Sequence, residues 1–371
     1  MPSSYNFVKT VFVSAMLLAA LPLEAANYQV NTITDTLEQP WSIAELPNGN
    51  GFLITEKAGR LLHVDHSGNA TTIVGTPEVF FKSQGGLLDV VLDPEFATNQ
   101  RIYLSYAGGD ADTNRTTVMR AKLSGELLAD SEIILEVQPS KKKAAHFGGK
   151  LAFLPDGTLL LSVGEGFEYR EQAQSLNSEM GKLLRINSDG SAPASNPFPE
   201  VAPRVYSYGH RNPQGLVVDP DTGTIWMAEH GPKGGDELNR IVPGTNYGWP
   251  AITYGLDYSG AIISPYTEAE GMAQPVMYWV PSIATSGLAI YRGTAFPEWD
   301  GSLLTGALVD QKLYRLAPEG NGFVQSEPFS EVTGRVRDVR VLGDGSIAVL
   351  TDEGAFFHIT PTPLEQTAAT E

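Results

Sequence analysis

The sequence contains no cysteine, and this absence excludes several kinds of chemistry. Without thiols the chain can form no disulfide, no thiolate metal site and no covalent attachment to haem. An oxidoreductase built from this sequence would therefore have to pass its electrons to a separate carrier.

Positive charge is also scarce, since 25 Lys and Arg residues stand against 43 Asp and Glu residues. The formal net charge is −18, and the only cationic run is the triplet at 141–143, which we interpret as a solvated loop. An acidic surface without a basic patch is repelled by phosphate backbones and acidic membrane faces. We therefore expect no nucleic-acid partner.

Long apolar runs are missing except near the N-terminus. Lys9 precedes an apolar stretch at 11–23, and Leu23, Glu24 and Ala25 form a small-residue cleavage motif. The stretch is short for a membrane span, although a retained anchor is the alternative interpretation. We predict a cleaved signal peptide at residues 1–25, no stable membrane insertion, and a periplasmic or secreted protein.

Helical periodicity is absent from the remaining chain, and a strand–turn–strand phrase recurs in its place. Six copies occur at intervals of roughly 50–70 residues, with Pro-Asp and Asp-Gly turns that suit antiparallel hairpins. The copies lie at 41–55, 88–105, 151–162, 216–227, 288–305 and 339–350. This repetition predicts an all-β, six-bladed β-propeller of four-stranded antiparallel blades. We expect one domain over residues 26–360 and a disordered tail at 361–371.

Polar, glycine-rich segments flank the repeated strands, where a propeller presents its loops to the central channel. They are Gln84–Gly86, His146–Lys150, Gly209–Gly215, Glu229–Glu237, Asn246–Pro250, Gly255–Gly260 and Gly334–Asp338. Arginines suit carboxylates, an imidazole suits a general base, and glycines let main-chain carbonyls reach a hard cation. Together they suggest a base, Ca²⁺ and a ligand that carries carboxylates.

These segments, in this order, resemble the soluble glucose, sorbosone and aldose sugar dehydrogenases that use pyrroloquinoline quinone (PQQ). The resemblance extends from about Pro40 to Ile359, and its most specific parts are Gly209–Gly215 and Gly231–Glu237. It implies that PQQ and Ca²⁺ are cofactors, that an aldose is the substrate, and that a separate acceptor receives the electrons. It leaves open whether the protein is a monomer or a homodimer.

The resemblance also implies roles for individual residues. His146 matches the base that removes the anomeric proton while hydride passes from C1 to the quinone, which yields a lactone. Arg211 matches the arginine that binds and polarises the quinone, and Asn212 lies beside it. The other cofactor contacts that it implies are Gln84, Tyr258, Arg335 and Arg337. The calcium ligands that it implies are the carbonyls of Gly231 and Pro232 at the cofactor, and Glu237 with the carbonyl of Tyr247 at a structural site.

Two positions depart from the family pattern. Val309 stands where the family usually has a cofactor-binding lysine, and the loss of one charge-assisted contact costs about 1.5–3 kcal/mol. Lys312 is three residues away and is a possible replacement. Ala145 precedes the base where the glucose-specific branch has an aspartate. This difference favours the broader aldose branch and predicts a less firmly oriented base.

Other interpretations of these residues stay open at this stage. Arg335 or Arg337 could pair with Asp338 or with a neighbouring blade instead of binding a ligand, and Tyr258 and Trp249 could be packing residues. We expect structural roles for His210 and His230, and a solvated loop for Glu165, Glu168 and Glu171. That acidic trio is otherwise compatible with a hydrolase.

Two alternative functions follow from the same fold, because propellers support unrelated chemistries. One is a Ca²⁺-dependent hydrolase of the lactonase type. The other is a propeller without redox activity that only binds a carbohydrate or a partner protein.

Overall fold

The computed structural model describes residues 28–362, and nearly all of its regular structure is β-strand. The predicted signal peptide lies outside these residues, as does the tail from residue 363 onward. Within residues 28–362 there is no helix with the length and apolar character that a membrane span requires. The helical elements are the short α1 (Phe96–Asn99) and the 3₁₀ turns Pro47–Gly49, Arg170–Gln174 and Pro297–Trp299.

The described chain begins with β1 (Tyr28–Thr34), and the strands that follow form six antiparallel sheets of four. Blade 1 contains β2 (Pro40–Glu45), β3 (Phe52–Glu56), β4 (Arg60–Val64) and β5 (Ala70–Ile73). Blade 2 contains β6 (Leu87–Leu92), β7 (Arg101–Gly108), β8 (Arg115–Ser124) and β9 (Leu127–Glu136). Blade 3 contains β10 (Leu151–Phe153), β11 (Leu159–Val163), β12 (Lys182–Ile186) and β13 (Val205–Tyr208).

The second half of the chain repeats this arrangement. Blade 4 contains β14 (Pro213–Val218), β15 (Ile225–Glu229), β16 (Asp236–Ile241) and β17 (Met277–Trp279). Blade 5 contains β18 (Thr285–Ile290), β19 (Leu303–Ala307), β20 (Lys312–Glu319) and β21 (Gly322–Ser326). Blade 6 contains β22 (Val336–Val341), β23 (Ile347–Thr351) and β24 (Phe356–Pro361), and β1 completes it.

The blades form a closed ring around a central channel. The first strand of each blade contacts the first strand of the next, from β2 through β6, β10, β14 and β18 to β22, and β22 contacts β2 again. Apolar clusters fill the space between neighbouring sheets, where each face of a blade is covered by the next blade. The predicted six-bladed propeller is therefore confirmed, and each repeated phrase corresponds to the two inner strands of one blade.

The N-terminal strand closes the ring by pairing with the last strand. β1 lies antiparallel to β24, with Val30 opposite Ile359 and Tyr28 opposite Pro361. The ring of Tyr28 packs 5.4 Å from that of Phe329 and 6.5 Å from that of Trp299, between the elements of blades 5 and 6. Pro361, where the predicted tail begins, is thus the last residue of a paired strand.

A buried ionic network links the inner strands around the channel. Lys150 Nζ lies 2.8 Å from Asp338 Oδ1, and Arg340 lies 3.1 Å from Asp89 and 3.3 Å from Asp338. Two cations and two carboxylates balance each other, as burial requires. The Lys150 ammonium also lies 4.3 Å from the ring centre of Trp41, which lines the cavity described below. The network therefore fixes the inner strands that support the site.

Candidate active site

A cavity of about 270 Å³ opens where the loops that precede the inner strands converge. Blades 1 to 3 contribute Trp41, Lys57, Gln84, Leu88, Phe147 and Gly148 to its lining. Blades 4 to 6 contribute Asn212, Gln214, His230, Ala284, Leu308, Arg335, Arg337 and Asp352. Four predicted cofactor contacts, Gln84, Asn212, Arg335 and Arg337, are therefore brought together from three distant parts of the chain.

A second cleft of about 540 Å³ adjoins this cavity and shares His230 and Ala284 with it. Its lining includes the predicted residues Gly231, Pro232 and Tyr258. It is mainly apolar and also contains Val309, whose side chain is 59% exposed. The side chain that replaces the family lysine thus borders the neighbouring cleft. Lys312 is no substitute, because its ammonium pairs with Glu327 at 2.5 Å on the exposed surface.

His146 is held on three sides in the loop that leads into β10. Its backbone has φ +50°, its N–H donates to Oε1 of Gln84 at 2.7 Å, and its Nδ1 lies 3.1 Å from Oε1 of Glu165. The ring is buried, and Phe167 packs against it edge-on with centroids 5.0 Å apart. Burial lowers the pKa of His146, and the charge of Arg211 lowers it further, whereas Glu165 acts in the opposite direction. The imidazole is therefore neutral near pH 7.

The expectation of a solvated loop is wrong for Glu165. This side chain is only 1% exposed, and besides His146 it accepts the N–H of Phe167. Glu168, in contrast, is exposed and pairs with Lys143 at 3.0 Å, so no carboxylate pair of the hydrolase type forms here. Glu165 also corrects the prediction that Ala145 leaves the base poorly oriented. The usable sequence signal was its position between two glycines directly after β11.

The cationic run at 141–143 is only partly solvated, contrary to expectation. Lys142 and Lys143 are exposed, but Lys141 is buried. Its ammonium donates to Asn114 Oδ1 at 2.9 Å and to the carbonyl of Lys143 at 2.7 Å, and it lies 3.4 Å from the ring centre of Phe147. Burial lowers the pKa of Lys141 to about 7. Lys141 therefore fixes the loop that carries His146.

Arg211 is buried, and its guanidinium is only partly committed to protein partners. Its Nη1 donates to the carbonyls of His230 at 3.0 Å and Gly231 at 2.5 Å, and its main-chain N–H donates to Glu229. Its guanidinium lies 5.2 Å from the ring centre of Trp249 and 5.9 Å from that of Tyr258. Nε, although buried, has no hydrogen-bond partner among the described residues. Because such a donor is costly to leave unpaired, it suits the acceptor oxygen of a bound ligand.

One end of the cavity is cationic. Arg335 and Arg337 both bind Asp352, at 3.1 and 2.7 Å, and not Asp338. Arg335 also donates to the carbonyl of Leu308 at 3.0 Å, so the alternative of a contact with a neighbouring blade holds for this residue. Two arginines share this one carboxylate, and Arg337 also reaches Oε1 of Gln214. The excess of positive charge fits a ligand that carries several carboxylates, as PQQ does.

The expected metal positions are of two kinds. Gly231 and Pro232 line the cleft beside Arg211, where their carbonyls would be the ligands. Glu237 is half-buried beside Glu229, and desolvation together with that neighbour raises its pKa to about 8. Tyr247 stacks on His210, whose Nδ1 lies 3.0 Å from Glu229, so it borders the same polar cluster. No group of three His, Asp or Glu side chains in the described part of the chain is arranged as a metal site.

His210 and His230, for which a structural role was expected, differ in position. His210 is fully buried between Glu229 and Ser207, as a structural role predicts. His230 lines the cavity, and its Nε2 donates to the carbonyl of Thr285 at 2.6 Å. Burial lowers the pKa of His230 to about 4, so its ring is neutral near pH 7. Trp249 is buried against Arg211, whereas Tyr258 is 59% exposed, so packing explains only the tryptophan.

Comparison with known proteins identifies the family of this chain. The sequence profile described as Glucose / Sorbosone dehydrogenase matches residues 37–358. The aldose sugar dehydrogenase of Escherichia coli K12 is 39% identical, over 96% of this chain and 98% of its own. The quinoprotein glucose dehydrogenase B of Acinetobacter calcoaceticus is 30% identical, over 75% and 63% respectively.

Solved structures show the same likeness. The apo-form of the soluble E. coli aldose sugar dehydrogenase has a TM-score of 0.85 at 38% identity, over 90% of this chain and all of that one. The PQQ-bound aldose sugar dehydrogenase of Streptomyces coelicolor has a TM-score of 0.74 at 29% identity, over 91% and 99%. The chain described here therefore belongs to the glucose/sorbosone dehydrogenase family.

Proposed function

We propose that this protein oxidises the anomeric C1 hydroxyl of aldose sugars to the lactone, with hydride transfer to PQQ and release of electrons to an external acceptor. Its family makes it a sugar dehydrogenase. The observation that carries the proposal is the neutral imidazole of His146 held by the Glu165 carboxylate, in the same loop cluster as Arg211, whose Nε has no partner among the described residues. A base and an oxyanion-stabilising donor are the two groups that this oxidation needs.

The base acts through one ring nitrogen. Because Nδ1–H donates to the Glu165 carboxylate, the lone pair on Nε2 is available, and no residue within 28–362 occupies it. Nε2 accepts the proton of the C1 hydroxyl, and Glu165 stabilises the resulting imidazolium. Gln84 holds the backbone of His146 in its left-handed conformation and so keeps the ring in place.

The cavity residues fit PQQ. Arg335 and Arg337 in the cavity lining would hold carboxylates, and Asn212 and Gln84 supply further polar contacts. Arg211 is not part of that lining but directly precedes Asn212, and its Nε, unpartnered among the described residues, would donate to a quinone oxygen. When bound, PQQ supplies the two-electron oxidant, and Ca²⁺ on the carbonyls of Gly231 and Pro232 adds Lewis acidity. We propose a second Ca²⁺ at Glu237 and the carbonyl of Tyr247, because a half-buried carboxylate beside Glu229 favours a cation.

We further propose that the protein is exported to the periplasm or secreted after removal of residues 1–25. A protein without cysteine and without attached haem must deliver its electrons to a separate acceptor.

The decisive experiment titrates the metal-depleted protein with PQQ and excess Ca²⁺, follows the quinone absorbance, and then adds glucose or another aldose. We expect saturable binding followed by bleaching to the reduced form. Binding without bleaching by any aldose would contradict sugar oxidation. A lack of binding at tens of micromolar PQQ would contradict the quinoprotein assignment and favour a propeller that only binds carbohydrate.

A further inference from the structure

Lys57 lines the active-site cavity, although no sequence pattern singled it out. It follows the last residue of β3 and is half-buried. Its ammonium donates to the carbonyl of Ser83 at 2.9 Å, directly before the site residue Gln84. Because a lysine ammonium has three donors, two remain without a partner among the described residues.

The position of Lys57 is fixed by its main chain as well. Its carbonyl accepts the N–H of Leu87 at 3.0 Å. A Cβ atom on Gly86 would lie 2.1 Å from the same carbonyl oxygen, so the glycine is required for this close approach. The turn after β3 and the loop that carries Gln84 are therefore locked together.

Lys57 shares a positive field with Arg335 and Arg337. Burial lowers the pKa of Lys57, the charge of Arg337 lowers it further, and Asp352 only partly offsets this. Three cations thus border a region with one carboxylate, Asp352, which both arginines already bind. Such an excess of charge is unfavourable in the free protein, and an anionic ligand relieves it.

We propose that Lys57 is the third cationic contact for the carboxylates of the bound cofactor. It would take over the role of the lysine that the family usually has at the position of Val309. Val309 borders the neighbouring apolar cleft, whereas Lys57 lies in the cavity beside the two arginines. The inference rests on the proposed function, since it assigns a residue to the same cofactor. Its ligand class is a planar compound with several carboxylates, and a neutral quinone would gain nothing from this residue.

The test measures PQQ affinity in variants that remove the charge and keep the tether. Lys57→Gln retains an N–H for the Ser83 carbonyl, Lys57→Met removes it as well, and Lys57→Arg retains the charge. Lys82→Met is the matched control, because Lys82 is an exposed lysine on the same loop as Gln84. The dissociation constant of the calcium-loaded protein is followed by quinone absorbance at several salt concentrations, with thermal unfolding as a check.

We expect K57Q and K57M to bind PQQ about 10- to 100-fold more weakly, and K57R and K82M to stay within about threefold of the original protein. The salt dependence of the affinity decreases in K57Q and K57M, because one charged contact is lost. An unchanged dissociation constant and salt dependence in K57Q would overturn the inference and leave Lys57 as a structural tether. A failure of the unmodified protein to bind PQQ would instead reject the proposed function, and this inference with it.

Discussion

Nδ1 of His146 lies 3.1 Å from Oε1 of Glu165. His146 precedes β10 and Glu165 follows β11, so both lie at the same end of the antiparallel inner hairpin of blade 3. The carboxylate fixes the tautomer of the imidazole and leaves Nε2 unprotonated. Burial removes water from the pair, so this contact influences both the orientation and the basicity of the imidazole, together with Gln84, Phe167 and the charge of Arg211. The predictions on activity begin from it.

Replacing Glu165 with glutamine tests that contact. We expect kcat to fall about 100-fold, because a misplaced base loses its alignment with the substrate. Glu165 raises the pKa of His146, so its removal lowers that pKa further. The base works only when unprotonated, and the acid limb of the kcat/KM profile should therefore move to lower pH. Glu168→Gln, an exposed carboxylate in the same loop, is the control, and an unmoved acid limb in E165Q would contradict the pairing.

Replacing Arg211 with lysine keeps the charge and removes Nε. We expect kcat/KM to fall about 10²- to 10³-fold, because one donor aimed at the developing negative charge is lost. Steady-state kinetics with saturating PQQ measure this. Arg204→Lys, in which the exchanged arginine pairs with Glu179 away from the cavity, should keep normal rates. Normal turnover in R211K would mean that Nε has no role in the reaction.

Calcium should stabilise the protein through Glu237. At pH values below its pKa of about 8 this carboxyl is protonated and must lose its proton to bind the ion. The Ca²⁺-induced rise in Tm should therefore grow as the pH increases through 8. Thermal unfolding without PQQ, with Ca²⁺ or with chelator, measures the effect. Glu237→Gln should lose most of the rise, and Glu268→Gln, on the exposed surface, should keep it. Equal Tm shifts in the two variants would place the ion elsewhere.

Tyr28 should contribute to closure of the ring. Its replacement by alanine removes the contacts with Phe329 and Trp299, and we expect a loss of about 2 kcal/mol in the free energy of unfolding. Denaturant unfolding followed by circular dichroism measures this loss. Tyr266→Ala removes a tyrosine that is 64% exposed and should have little effect. If both variants unfold at the same denaturant concentration, the aromatic ring of Tyr28 does not hold β1 in place.

The sequence determined the parts of the fold that depend on patterns of neighbouring residues. Short apolar runs joined by Pro-Asp and Asp-Gly turns identified the two inner strands of each blade, because these strands are buried on both faces. The outer strands were not identified individually. Some are very short, as β17 is with three residues, and their half-exposed pattern is weak. The motif residues Gln84, Asn212, Arg335 and Arg337 line one cavity, and their role as cofactor contacts stays a prediction.

Only the tertiary structure decided which distant groups meet and which charges are buried. Ring closure brings β1 to β24, and it places Lys57 of blade 1 beside Arg337 of blade 6. The sequence shows Glu165 and Lys141 merely as charged loop residues, and their roles follow from burial against His146 and Phe147. Burial and long-range contact depend on how six sheets stack around one axis, and this packing is a property of the whole chain.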